Sequence, residues 1–172
     1  MSAALPHARI PVGVVVERRK AKSAWIDFVW RPVAVLAGVP ATAAWTAITE
    51  DAEATRFYAG ARDIELFRSE TTNYRDNLAS GAPALWVALR PTGIEPPYEI
   101  MAVTADPAEG EAFTEAGNDL VDAVPMPAEI QAALAQFIAE HHVERQPFKR
   151  KRERADPEAL ARRSPTRESD EP

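Results

Sequence analysis

Short apolar segments separated by turn residues fill the first two thirds of the chain, and most of them alternate apolar and polar positions. Residues 10–19 are rich in valine, which favours a strand. Residues 25–36 place Phe28 and Trp30 on one face of a second strand, in which Pro32 predicts a bulge or a sheet edge. The same pattern predicts five further strands, at residues 43–49, 55–58, 64–68, 84–90 and 98–104.

Two shorter segments lie between these strands. Residues 59–61 (Ala-Gly-Ala) are expected to form the turn between the strands at 55–58 and 64–68. The polar residues 70–77 fit either a functional loop or a capped helical turn, and both interpretations stay open.

Helical periodicity replaces the alternation in the last third of the chain. Asp106 followed by Pro107 is typical of a helix start, and this helix is expected to end near Gly117. After a short extended segment, Pro127 opens an amphipathic helix over residues 127–145. Its apolar face is formed by Ile130, Leu134, Phe137, Ile138 and His141.

This order of elements predicts an α+β fold that is mainly β. We expect about seven antiparallel strands in a curled sheet or small barrel, with the C-terminal amphipathic helix packed on it. The expected organisation is a flexible N-terminus at residues 1–8, a single β-rich domain at 9–145 and a charged disordered tail at 146–172.

Charge is unevenly distributed along the chain. The net charge is −6, but the body is more acidic than that and the tail is basic, with the run Lys149, Arg150, Lys151 and Arg152. An acidic body argues against nucleic-acid binding, so nucleic acid is an unlikely partner. There are no cysteines, and no segment has the length and apolarity of a membrane span, which predicts a cytoplasmic protein without a membrane partner.

The residues contain no recognisable catalytic signature. The glycines are isolated, so no phosphate-binding loop is present, and no G-x-S-x-G elbow occurs. His141 and His142, with Glu140 and Glu144 nearby, suggest a metal site, but adjacent helical residues point about 100° apart. The alternative is that His141 packs beneath the helix while His142 is solvated. We therefore expect no cofactor and no metal. The sequence leaves open whether the protein is an enzyme, and the missing signatures favour one that is not.

Several segments together resemble an uncharacterised bacterial family, the domain of unknown function numbered 3305. They are residues 14–19 (Val-Val-Val-Glu-Arg-Arg), 25–36 (Trp-Ile-Asp-Phe-Val-Trp-Arg-Pro-Val-Ala-Val-Leu), 74–78 (Tyr-Arg-Asp-Asn-Leu), 124–127 (Val-Pro-Met-Pro), 141–144 (His-His-Val-Glu) and 149–152 (Lys-Arg-Lys-Arg). The resemblance covers roughly residues 9–152.

The resemblance implies a genetic association with molybdenum-dependent formate dehydrogenases and their maturation factors. Some members are labelled molybdopterin-guanine dinucleotide biosynthesis protein A, which implies a guanylyltransferase with a Rossmann-like fold and an opening Leu-Ala-Gly-Gly loop. Here residues 36–40 read Leu-Ala-Gly-Val-Pro, without the second glycine. The expected function is therefore an accessory or interaction module of formate dehydrogenase maturation. The alternatives are a molybdenum cofactor guanylyltransferase and a small ligand- or metal-binding barrel.

The family segments nominate a possible ligand or partner surface, with no chemical role assigned to any residue. It consists of Glu17, Arg18, Arg19, Trp25, Tyr74, Arg75, His141 and His142. A solvated strand end is the alternative for the 17–19 segment. The tryptophans are expected to pack in the core, with Trp25, out of phase with Trp30, as the exposed one. The basic run at 149–152 could bind nucleic acid or an acidic partner surface, or serve only to solvate the tail.

Overall fold

The computed structural model describes residues 4–142 of the 172-residue chain. These residues form seven strands and three α-helices. The strands are β1 Ala8–Lys20, β2 Phe28–Ala37, β3 Thr46–Glu50, β4 Ala54–Leu66, β5 Ala84–Pro91, β6 Tyr98–Thr104 and β7 Leu120–Pro125. The helices are α1 Thr71–Ala79, α2 Pro107–Glu115 and α3 Ala128–His141. None of the helices in this part of the chain is long and apolar enough to cross a membrane.

The strands form two antiparallel sheets, which confirms the mainly β prediction. The first sheet has the order β2-β1-β4-β3 and the second the order β6-β5-β7. The prediction of a closed barrel is wrong, because no hydrogen-bonded ladder joins the two sheets within residues 4–142. Their inward side chains share one core instead, where Val14 of β1 meets residues such as Val87 of β5.

Strand β4 is continuous where two strands joined by a turn were predicted. Val14 pairs with Gly60 and Val15 with Tyr58, so Ala59 is an extra residue. Gly60 has φ +131°, a conformation that side-chain-bearing residues rarely adopt, and it allows a β-bulge rather than a chain reversal. A glycine between two strand-like segments is typical of both a bulge and a turn, so the sequence alone could not distinguish them.

Strand β2 shows both features that its proline predicts. It lies at an edge of the first sheet, where a missing N–H is tolerated. Val15 pairs with Ala34 and Val16 with Pro32, so the ladder is bulged at Val33. The strand begins at Phe28, three residues later than predicted, and the preceding residues form a loop.

The two later helices, α2 and α3, begin where the sequence predicts them. Asp106 caps α2 by accepting a 2.9 Å hydrogen bond from the backbone N–H of Ala108. Helix α3 ends at His141, because His142 is extended, and residues 143–145 of the predicted helix lie outside the described residues. The buried face of α3 is formed by Ile130, Leu134 and Phe137, as its periodicity predicts.

The polar segment at residues 70–77 includes a true helix and not only a loop. Tyr74 of α1 is buried, and its hydroxyl accepts a 3.0 Å hydrogen bond from the backbone N–H of Phe67. Burial raises the pKa of Tyr74 to about 12. Asn77 is also buried, and it bonds the backbone at the start of β5 and after β6. The buried side of α1 is therefore hydrogen-bonded to the chain after β4 of the first sheet and to the chain at β5 and after β6 of the second sheet.

Candidate functional site

A buried carboxylate surrounded by arginines lies where the C-terminal end of β1 pairs with the N-terminal parts of β2 and β4. Strand β1 lies between the other two, and Glu17 pairs with Arg31 on one side and with Arg56 on the other. Side chains that are paired across neighbouring strands lie on the same face of a sheet. This places one carboxylate between two guanidinium groups, and Arg19 joins them from two residues along β1.

The carboxylate of Glu17 is only 1% exposed, while the three arginine side chains around it are about half exposed. Its Oε1 lies 3.1 Å from Nε of Arg19 and 3.7 Å from Nε of Arg31. Its Oε2 lies 3.2 Å from Nε of Arg56. We call these four residues the arginine cluster. The cluster covers its carboxylate with guanidinium groups and keeps an excess of two positive charges.

Two opposing effects act on the charge of Glu17. Burial disfavours the ionised carboxylate, but the hydrogen bonds from Arg19 and Arg56, together with the charges around it, outweigh burial. The pKa of Glu17 therefore lies below its ordinary value. A group with a lowered pKa in the folded state stabilises the protein when it is ionised.

Glu17→Gln is expected to lower the free energy of unfolding at neutral pH by about 1–2 kcal/mol, because three arginines lose their counter-ion. The loss should shrink as the pH falls from the unfolded pKa, about 4.3, through the lower folded one, since protonation removes the same charge from the wild type. Urea unfolding at several pH values measures both effects. Glu65→Gln, at an exposed pair with Arg9, is the control, with an expected effect within about 0.5 kcal/mol. A pH-independent difference would contradict the assignment.

The opposite face of the same sheet carries Arg18 and a group of aromatic rings. The Arg18 guanidinium carbon lies 4.6 Å from the ring centre of Phe28, 5.2 Å from that of Phe57 and 5.8 Å from that of Trp30. Such contacts attract a cation to the faces of aromatic rings. The buried Nε of Arg18 makes no hydrogen bond to any of residues 4–142.

The rings continue towards the second sheet. Trp30 stacks on Phe57 at 5.8 Å, and the rings of Trp45 and Tyr98 lie 6.2 Å and 5.9 Å from Trp30. Trp45 has φ +66°, the only positive value among the described residues other than glycine. Bulky residues seldom adopt this conformation, so packing against the other rings must compensate for its cost.

The loop that joins β1 to β2 is apolar and exposed at its tip. Trp25 is 94% exposed, which confirms that it is the exposed tryptophan, while the other three are partly buried. Ile26, Phe28 and Val29 are also exposed. We call residues 17–31 the basic hairpin. It contains five Lys/Arg and two Asp/Glu, a net charge of +3 within a chain of net charge −6.

The remaining predicted residues lie together where α1 meets α3. Nδ1 of His142 lies 2.9 Å from Oγ1 of Thr71, and its Nε2 lies 3.3 Å from a terminal nitrogen of Arg75. The His141 ring packs on Phe137, with 4.6 Å between ring centres. The interpretation that His141 packs beneath the helix agrees with this contact, whereas His142 is partly exposed and also contacts two side chains.

These contacts oppose a metal site at His142. Both ring nitrogens of His142 are in contact with other side chains, and the guanidinium group of Arg75 can only donate a hydrogen bond. No group of three or more metal-ligating side chains occurs within residues 4–142. Glu144, part of the suggested site, lies outside this range.

The eight predicted surface residues therefore divide into two groups. His7, which precedes β1, lies 6.3 Å from His141 by ring centres and belongs to the α1–α3 group. Glu17 lies ten residues after His7, which corresponds to about 33 Å of extended strand. The residues do not form one cleft. Their joint role stays a prediction, and the basic run at 149–152 lies outside the described residues.

Sequence reasoning missed Arg31 and Arg56, which complete the arginine cluster. They lie 14 and 39 positions after Glu17, and no motif links such positions. Only the strand register reveals the relation, since both arginines pair with Glu17. It also missed a cleft of about 400 Å³ lined in part by Arg62, Asp63 and Glu109. Burial raises the pKa of Glu109 in this cleft.

The fold and the side-chain geometry define an α+β domain of two antiparallel sheets with an arginine-rich, aromatic hairpin. Its strand ladders are all antiparallel, so the Rossmann-like sheet implied by the guanylyltransferase label is not found in residues 4–142. The chain belongs to the family described as protein of unknown function (DUF3305), whose model matches residues 11–152. No curated protein and no solved structure gives a significant match.

Proposed function

We propose that the protein is a non-catalytic accessory module that binds an acidic protein surface through its basic hairpin. The family resemblance nominates the partner, a formate dehydrogenase or one of its maturation factors. The observation that carries the proposal is the exposed apolar tip of the hairpin, at Trp25, Ile26, Phe28 and Val29.

Exposed apolar residues in a contiguous group mark interaction sites more often than scattered ones do. Tryptophan and arginine are the residues that most often dominate protein–protein binding energy. The hairpin combines both, because the exposed Trp25 and the arginines lie on the same 17–31 segment.

Charge supports the acidic character of the partner. The hairpin has a net charge of +3, although the whole chain has a net charge of −6. Complementary charge accelerates association and disfavours wrong partners. Binding through this segment is therefore expected to weaken as the salt concentration rises.

The double substitution Trp25→Ala/Ile26→Ser is expected to weaken binding by about tenfold or more, because it removes the apolar contacts at the hairpin tip. Biolayer interferometry with the purified formate dehydrogenase and each purified maturation factor measures the dissociation constants. Ile94→Ser is the matched control, since Ile94 is 73% exposed in the loop between β5 and β6.

Two outcomes would overturn this function. In the first, none of these purified proteins binds the full-length wild-type chain. In the second, the double variant and the Ile94→Ser control bind equally well, which would place the interface elsewhere.

A further inference from the structure

The arginine cluster holds more positive charge than its own fold requires. One carboxylate, Glu17, faces the three guanidinium groups of Arg19, Arg31 and Arg56. Because Glu17 is 1% exposed and covered by these groups, a molecule in solution meets the arginines and not the carboxylate. The solvent side of the cluster therefore presents three guanidinium groups that share one buried carboxylate.

The arginines also keep hydrogen-bond donors for a further anion. Each approaches Glu17 through Nε, and each side chain is 50–56% exposed. Glu17 is their only ion-pair partner within residues 4–142. The terminal nitrogens, which form the fork that matches phosphate oxygens, make no ion pair in this part of the chain. The exposed carboxylate of Asp51 is a further charge near the cluster. Backbone hydrogen bonds from Glu53 and Ala54 lower the pKa of Asp51 most, and the charges of Arg19 and Arg56 lower it further.

The strands position these donors before any ligand arrives. Arg31 and Arg56 are paired with Glu17 in a three-strand register, so their backbone positions are fixed by sheet hydrogen bonds. The buried carboxylate then restricts the side chains. Groups that are already ordered lose less conformational entropy when they bind a ligand.

We propose that the arginine cluster is a binding site for a dianionic phosphate group, either free phosphate or the monoester group of a small molecule. Three guanidinium groups attract the two charges of a phosphate more strongly than the single charge of a carboxylate. Three guanidinium groups also match the oxygens of a phosphate better than they match the two of a carboxylate. The site shares Arg19 and Arg31 with the basic hairpin, but phosphate binding is measured without the proposed protein partner and does not require it.

Isothermal titration calorimetry of the full chain with inorganic phosphate tests the site, with chloride used to hold the ionic strength constant. Arg31→Gln is expected to weaken binding by about tenfold, the effect of losing one charge-assisted pair. Arg31 is chosen because its 3.7 Å contact with Glu17 is the longest of the three, so its loss disturbs the fold least. Arg9→Gln is the control, at an exposed arginine paired with Glu65 on the same sheet.

Two further titrations identify the source of the phosphate group. A ribonucleoside 5′-monophosphate that binds much more tightly than inorganic phosphate indicates a monoester ligand, and equal affinity indicates the free ion. Its affinity should fall between about pH 7.5 and about pH 5.5, because a monoester loses its second charge near pH 6.

The site is disproved if phosphate produces no binding heat beyond that of chloride, or if Arg31→Gln and Arg9→Gln weaken binding equally. Thermal unfolding confirms that both variants are folded. The Trp25→Ala/Ile26→Ser variant should keep its phosphate affinity, which separates this site from the proposed protein interface.

Discussion

Asn77→Ala is expected to lower the free energy of unfolding by about 3 kcal/mol, one of the two largest effects of any single substitution considered. Asn77 is 3% exposed and makes three hydrogen bonds to backbone groups. Its Nδ2 donates to the carbonyl oxygens of Ala84 at 2.8 Å and Ala105 at 2.9 Å, and its Oδ1 accepts from the N–H of Ala84 at 3.1 Å. Each buried group that loses its partner costs about 1 kcal/mol or more.

Urea denaturation monitored by circular dichroism measures this loss. Asp76→Ala is the matched control, because Asp76 is the preceding residue of the same helix and is exposed. Its effect should stay within about 0.5 kcal/mol. Equal losses from the two substitutions would contradict the assignment to the buried contacts of Asn77, since alanine raises the helix propensity at both positions.

Gly110→Ala is expected to destabilise the protein by about 2–3 kcal/mol, although alanine is the better helix former. Gly110 lies within α2 and faces Trp86 of β5, and a β-carbon placed on it would overlap three atoms of the indole ring. Overpacking typically costs about 1–3 kcal/mol and occasionally more, and about 3–4 kcal/mol is expected here because the overlap is with a rigid ring. The gain of about 1 kcal/mol in helix propensity offsets only part of this cost.

A double-mutant cycle tests the assignment of this effect to the indole. In a Trp86→Leu background the ring is gone, so Gly110→Ala should cost much less, and thermal unfolding of the four proteins gives the coupling energy. A cost that is equal in both backgrounds would mean that Gly110 is required by the helix rather than by Trp86.

Features that depend only on residues close together in the chain were predicted correctly from the sequence. The apolar spacing of Ile130, Leu134 and Phe137 gave the buried face of α3, because helix periodicity depends only on neighbours along the chain. Pro32 indicated an edge and a bulge through its missing N–H. The exposure of Trp25 was predicted correctly but from a strand phase that does not apply, because Trp25 lies in the loop before β2.

Predictions from the sequence were wrong or ambiguous where the same residue pattern is typical of two different structures. Gly60 fits a turn as well as a bulge, and only the pairing of β4 with β1 selects the bulge. The choice between a barrel and two sheets is of the same kind, since it depends on which strand edges form hydrogen bonds. The segment at residues 70–77 was ambiguous until Tyr74 and Asn77 were seen to be buried.

The amino-acid sequence alone determined the mainly β composition, the two late helices and the membership suggested by its segments, because each depends on residues close together in the chain. The tertiary structure alone decided that Glu17 lies between Arg31 and Arg56, and that His141 and His142 lie at the other end of β1. Strand register brings distant residues together, and it is set by the packing of the whole sheet, which no local pattern records.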